Sequence, residues 1–293
     1  FHDENNIILF NGEIYNFKEL KKKYLSNTKF ETNTDTEVLF RLYQLKGKNI
    51  LIELRGIFSF VFIDLKNENI QLVRDFTGTK PLYYLNKKQN IFFSSEAWFL
   101  YSISEKKIDE NCLDFYLNFG FTKEDRTLIQ DVKKIPSNHL FKFSLNNFTL
   151  DKEKYFNLDA QKNFNNPSIE ETRECVENSI KRNLISDTKI GTFLSGGVDS
   201  STITILAKKF NQNIESFTTV FLPEQKFKKF NLDFNFSKKI SHDFGIKLNT
   251  CFIEDNNQFF EDFLKVTKYL DEPVSNLNFL NTYWQTKLAK EKN

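Results

Sequence analysis

The sequence predicts two domains: an α+β sandwich of sheets with helices outside, then an α/β domain on a parallel sheet. Three observations lead there. The chain has 293 residues, a length that suggests two domains. Its first half is rich in apolar strand patterns. Its second half alternates strand-like with helix-like segments, the mark of a parallel sheet.

In the first half, "NIILF" and "EIYNF" flank Asn11-Gly12, a strong short signal for a hairpin turn. A helix is expected at about 17–25. Another starts at Thr34, with Glu37 at the capping-box position, and presents Val38, Leu39, Leu42 and Leu45 on one face. "GIFSFVFID" alternates with both faces apolar, as in a strand covered on both sides. Short strands follow at about 70–74, 82–85 and 91–94. The polar, Asn-rich stretch "FNLDAQKNFNNPS" at 156–168 reads as a linker. Ser168 then caps a helix, with Glu171 three residues on.

In the second half, helices are expected at about 169–185, 200–210, 233–244, 257–269 and 279–290. Strands are expected at 189–194, 214–221 and 248–253. Ligands of such sheets sit at the carboxyl ends of the strands, and residues 195–200 lie at one of them.

Composition narrows the function. The formal net charge is +2, no argument for a nucleic-acid or anionic-membrane partner. The three cysteines, Cys112, Cys175 and Cys251, are far apart and form no C-x-x-C pattern. With three histidines as well, a His/Cys metal cluster is not expected. The longest apolar run falls far short of a membrane span, and no signal peptide opens the chain, so a cytoplasmic location is the default expectation. The abundance of Lys, Asn and 34 Phe reads as codon bias. The chain contains no Met, begins Phe1-His2-Asp3 and ends in a helix-like "LAKEKN". It reads as a fragment cut at both ends.

The stretch "FLSGGVDSS", residues 193–201, resembles a phosphate loop without the usual lysine. Gly196 and Gly197 let the backbone turn sharply and approach an anion. The following helix offers unpaired N–H groups and its positive end. Ser195, Ser200 and Ser201 add hydroxyls. Asp199 would repel phosphate unless a cation mediates, so it is expected to face Mg²⁺ bound to the phosphates. The plainer alternative is a strand–turn–helix with Asp199 or Ser200 as N-cap.

The string closely resembles the S-G-G-x-D-S signature of PP-loop ATP pyrophosphatases. In those enzymes the loop, here Leu194, Ser195, Gly196, Gly197, Asp199 and Ser200, grips a departing pyrophosphate. "FNGEIYN" (10–16), "LRGIFSFVFID" (54–64), "RDFTGTKPLYY" (74–84) and "FSSEAWFL" (93–100) together resemble the glutaminase domain of asparagine synthetases. That domain has an N-terminal-nucleophile fold and is a class II glutamine amidotransferase. "YLDEPVSN" (269–276) resembles the Asp-Glu-Pro segment of the same family's synthetase domain. The resemblance implies a glutaminase domain at 1–157, a linker at 158–167 and an ATP-pyrophosphatase domain at 168–293, with both domains incomplete.

The implied roles follow by position. The Asn11 side chain and Gly12 N–H would form an oxyanion hole. Glu13 and Asp35 would hold the amino end of glutamine. Read alone, Asn11-Gly12 is also a turn signal, and Asp35 also a favourable acid in a helix's first turn. Arg74, Asp75, Gly78, Lys80 and Pro81 look structural. The implied reaction takes glutamine, aspartate and ATP·Mg²⁺ through β-aspartyl-AMP to asparagine, AMP and pyrophosphate; a homodimer is compatible with it. The family's N-terminal Cys nucleophile is absent from this chain, and "LDFNF" and "LNT" depart from the pattern near 232–236 and 248–250. The chain as given is therefore expected to bind ATP weakly at best and to hydrolyse no glutamine. The alternatives are a related amidotransferase acting on another carboxylate, or a non-catalytic relic or binding module.

Overall fold

The computed structural model describes residues 1–293 except 88–89, 158–165, 224, 230, 255–256 and 293. The chain forms two compact units: Phe1–Phe164 with Asp271–Pro273, and Asn165–Leu270 with Val274–Asn293. Most of the linker expected at 158–167 lies outside the described residues.

The first unit contains two antiparallel sheets. One has the order β1-β2-β3-β7-β8 and the other β5-β4-β6. Their strands are β1 (Asn6–Ile14), β2 (Gly56–Asp64), β3 (Asn69–Arg74), β4 (Tyr83–Lys87), β5 (Asn90–Ser94), β6 (Val132–Lys134), β7 (His139–Ser144) and β8 (Leu150–Lys154). Strand β2 is covered on both faces, as its pattern predicts. Phe58, Phe60 and Phe62 pack with Val38, Leu39, Phe40 and Leu42 of helix α2 (Asp35–Lys46) and with Leu20 of α1 (Phe17–Tyr24). Val61 on the other face packs with Tyr84 of the second sheet and with Leu82 just before it. The far face of that sheet holds Tyr83, Leu85 and Val132 against Ala97 and Leu100 of α3 (Ala97–Ile103). The layers are therefore helix, sheet, sheet, helix.

The structure corrects the hairpin expectation. Asn11 and Gly12 are not a turn. They lie inside β1, which pairs with β2 without interruption from Asn6↔Asp64 to Ile14↔Gly56. Asn-Gly is permissive for a turn, but here glycine serves close strand approach. Helix α4 (Glu110–Phe119) and strand β8 also arise where the sequence offered no strong pattern. Strand β8 reads "LDKEK", the charged composition that protects a sheet edge from further pairing.

Asp271–Pro273 enter this unit from far along the chain. The Asp271 carboxylate accepts the Ala97 N–H at 2.6 Å and that of Trp98 at 3.3 Å. Glu272 accepts the Tyr83 hydroxyl at 3.0 Å, the Lys134 ammonium at 2.9 Å and the Thr122 hydroxyl. Burial, helped by the Glu272 and Asp271 carboxylates, pushes the Tyr83 phenol well above its ordinary value.

The second unit is a parallel sheet ordered β11-β10-β9: β9 (Gly191–Phe193), β10 (Glu215–Leu222) and β11 (Lys247–Glu254). Helices α5 (Ile169–Asn183), α6 (Val198–Phe210), α7 (Phe234–Asp243), α8 (Asn257–Thr267) and α9 (Asn278–Lys292) complete it. Ser168 and Glu171 form the expected reciprocal capping box. Both faces of the sheet are used. Ser216 of β10 bonds Thr192 of β9 at 2.8 Å, and Thr204 of α6 bonds Thr192 at 3.0 Å. On the opposite face, Thr219 of β10 accepts from Gln285 of α9 at 2.9 Å. Trp284 of α9 packs with Ile253 and Phe221 there, and its indole N–H donates to buried Asp262 at 2.8 Å. Among the described residues no helix is long and apolar enough to cross a membrane.

Candidate active sites: an open strand edge and a serine-glycine loop

The first site is built on the outer edge of β1, which lies at one end of its sheet. In an antiparallel strand, alternate residues turn both backbone groups toward one neighbour. Ile8 exchanges both with Phe1: its N–H donates at 2.8 Å and its carbonyl accepts the terminal ammonium at 3.0 Å. Ile14 donates its N–H to the Asp35 carboxylate at 2.9 Å. Neither of these bonds goes to β2. The same alternation directs Phe10 and Gly12 to the open edge. The partner strand agrees: Phe58, opposite Gly12, gives its N–H to the Asp75 carboxylate and accepts the Asp75 N–H. Its backbone groups thus turn away from Gly12.

Gly12 is obligatory by geometry. Its φ is +148°, and a Cβ built there would stand 2.1 Å from the Ile57 carbonyl oxygen. Gly56 plays the matching part, since a Cβ there would stand 2.0 Å from the Glu13 carbonyl. The sequence signal for Gly56 was only an isolated glycine at a strand start.

Two carboxylates flank the edge. Asp35 opens helix α2, behind N-cap Thr34, whose hydroxyl accepts the Glu37 N–H. One Asp35 oxygen is taken by Ile14. Glu13 is exposed on β1, and burial, then the Glu13 and Asp75 carboxylates, raises the Tyr15 phenol above its ordinary value. The expected capping box is only half formed. Instead of returning to its cap, the Glu37 carboxylate turns to the loop before the helix, where it accepts the N–H groups of Glu31 and Thr32.

Behind the edge, Asp75 is 1% exposed. It accepts five donors: the N–H groups of Phe58, Thr77, Thr79 and Lys80, and the Thr77 hydroxyl. Arg74 closes the same turn with bonds to the carbonyls of Lys80, Gly78 and Ile135. A buried carboxylate is tolerable when so fully bonded.

The second site follows β9. Leu194 is fully buried, its N–H bonded to the Phe217 carbonyl and its carbonyl accepting the Ser237 hydroxyl. Gly196 has φ +93°, and a Cβ there would stand 2.2 Å from the Asp233 carbonyl. The Ser195 and Ser200 hydroxyls meet at 2.9 Å. Helix α6 begins at Val198, so Asp199 and Ser200 lie within its first turn and not before it. Gly197 is the N-cap, and no side chain caps the helix. Asp199 is exposed. Among the described residues, no three His, Cys, Asp or Glu side chains converge to hold a metal.

Residues 1–156 match the family model for the glutamine amidotransferase domain, and residues 171–293 match that for asparagine synthase. The chain belongs to the asparagine synthetase family. Glutamine-hydrolyzing asparagine synthetase 1 of Bacillus subtilis (strain 168) is 30% identical over 295 residues, covering 99% of this chain and 46% of the relative. Putative glutamine-hydrolyzing asparagine synthetase 2 of Methanocaldococcus jannaschii is 33% identical over 210 residues, covering 70% of this chain and 40% of the relative. Glutamine-hydrolyzing asparagine synthetase 2 of Bacillus subtilis (strain 168) is 31% identical over 233 residues, covering 74% and 31%. The chain thus spans less than half the length of these family members.

Proposed function

We propose that the protein takes part in glutamine-dependent asparagine synthesis. The observation that carries the glutaminase half is the outward direction of the Gly12 backbone beside Asp35. An N–H held by the fold and aimed off the strand edge stabilises the negative charge of a tetrahedral intermediate. Asn11, adjacent on the strand, supplies a side-chain donor. Ile14, which holds Asp35, lies two residues from Gly12, roughly 7 Å along a strand. That separation suits a ligand whose amide oxygen and amino group are four carbons apart, as in glutamine. Glu13 and the remaining Asp35 oxygen receive the ammonium. Glutamine and water then yield glutamate and ammonia.

The second unit has the form of a PP-loop domain of Rossmann-like type, with ATP as its ligand. Ser195, Ser200 and the start of α6 offer hydroxyls, free N–H direction and a positive dipole to the departing pyrophosphate. Leu194 and Gly196 set the loop's path. The donor set is no metal cage by itself. It fits Mg²⁺ held chiefly by phosphates with Asp199 as one carboxylate, and that ion would neutralise phosphate charge. Aspartate attacking the α-phosphorus gives an acyl-adenylate and pyrophosphate, and ammonia displaces AMP. The domain roles are glutaminase over 1–157 and ATP pyrophosphatase over 168–293.

The test uses the full-length protein with ATP, Mg²⁺ and glutamine. Pyrophosphate release that rises with aspartate, and not with other carboxylic acids, is expected. Release with a different acid would replace asparagine as the product. Absence of both pyrophosphate and glutamate release would overturn the reading entirely.

A further inference from the structure

We propose that Glu37 is the positioning residue of the glutamine site, acting through Asp35. The inference rests on the glutaminase reading above. Glu37 is 0% exposed, yet it faces no substrate edge. A carboxylate buried this completely must be strongly bonded, and its bonds define what it does. It accepts the Glu31 N–H on both oxygens at 3.0 Å, the Thr32 N–H at 2.6 Å and the Thr32 hydroxyl at 2.8 Å. The Arg41 guanidinium, one turn along the helix, lies 3.6 Å away.

These bonds tie the loop at 31–32 to the helix that follows it. The Thr32 hydroxyl passes the tie on to Thr34 at 2.9 Å, and Thr34 is the N-cap. Asp35 is the next residue. Its carboxylate is therefore placed by a knot whose centre is Glu37. The precision matters because Asp35 accepts the Ile14 N–H with one oxygen at 2.9 Å, while among the described residues its other oxygen meets only the Thr36 hydroxyl, at 3.5 Å, and keeps capacity for a ligand ammonium. Arg41 also reaches this loop, through the Glu31 carboxylate at 3.6 Å, but as a donor it cannot take over the Glu31 and Thr32 N–H groups that Glu37 binds.

Gln has nearly the same shape as Glu, but one oxygen becomes an NH₂ donor facing N–H donors. Glu37→Gln should release the loop and let Asp35 wander. The experiment measures glutaminase kinetics of the full-length protein carrying Glu37→Gln, Asp35→Ala or both. We expect Glu37→Gln to raise KM for glutamine about tenfold, the loss of one well-made buried bond, with kcat within about twofold. On the Asp35→Ala background it should add less than about twofold, because residues acting as a unit are not additive. Thr32→Val, a milder release of the same knot, should raise KM in the same sense and covers the case in which Glu37→Gln fails to fold. A fall in kcat with unchanged KM, or full additivity with Asp35→Ala, would reduce Glu37 to a structural residue and overturn the proposal. Unchanged KM in Asp35→Ala would overturn the glutamine-site reading and the proposal with it.

Discussion

The two candidate sites solve the same steric problem in opposite surroundings. Each rests on a glycine in the left-handed region whose missing Cβ makes room for a carbonyl, Ile57 for Gly12 and Asp233 for Gly196. Around Gly12 the supporting groups are buried carboxylates, Asp75 and Glu37, saturated with hydrogen bonds. Around Gly196 the support is a short chain of hydroxyls on an exposed loop, and the helix it opens is uncapped. The contrast fits the chemistry proposed for each. An N–H that stabilises a transient charge must be in place beforehand. A loop that closes on a polyphosphate can leave its donors for the ligand to satisfy.

That comparison can be broken by substitution. Gly12→Ala should have the largest effect. In the full-length protein it should lower glutaminase kcat by about 10²–10³-fold and destabilise the first unit by about 2–4 kcal/mol, read from kinetics and denaturant midpoints. Asp75→Asn comes next. It keeps the size but turns a donor toward N–H groups, and should lose about 2–3 kcal/mol in denaturant unfolding. Gly196→Ala meets its carbonyl on an exposed loop that can shift, so a smaller loss of about 1–2 kcal/mol is expected, with ATP-dependent pyrophosphate release abolished. A stability loss as large as that of Gly12→Ala would remove the distinction between a rigid and a yielding site.

Acid sharpens the same contrast. The Glu53 carboxyl is held down to about 2 from an ordinary 4.5, first by the Lys23 ammonium and then by the Tyr24 hydroxyl. A depressed carboxyl stabilises the fold above its unfolded value and loses that contribution as pH falls through the folded one. The first unit should therefore weaken between about pH 4.5 and 2, and Glu53→Gln should flatten that slope in pH-dependent unfolding. The smallest effect is expected from Asp199→Asn. Asp199 is exposed, so stability should move by less than about 0.5 kcal/mol while the Mg²⁺ dependence of pyrophosphate release shifts.

The elements legible in the sequence were those with strong local causes. Helix α5 was marked by Ser168 and Glu171, and strand β2 by its two apolar faces. The parallel sheet was foreshadowed by alternation. Less legible were elements whose cause lies elsewhere in the chain. Strand β8 is too charged to read as a strand and exists because β7 pairs with it. Helix α3 takes its first bonds from Asp271, 174 residues away.

The sequence by itself determined which residue types are available and where: glycines at 12 and 196, serines around the second, acids at 35, 37 and 75. Local chemistry also settled the capping of α5 and the opening of α2 at Thr34. Tertiary structure decided what those residues are for. Asn11-Gly12 satisfies the local requirements of a turn, but pairing with β2 along its whole length makes it strand. The Glu37 carboxylate could have closed a capping box, but burial gave it stronger partners in the preceding loop. The physical reason is the same in both. Local preferences differ by about 1 kcal/mol or less, whereas leaving a buried carboxylate or a row of backbone groups unbonded costs several times that.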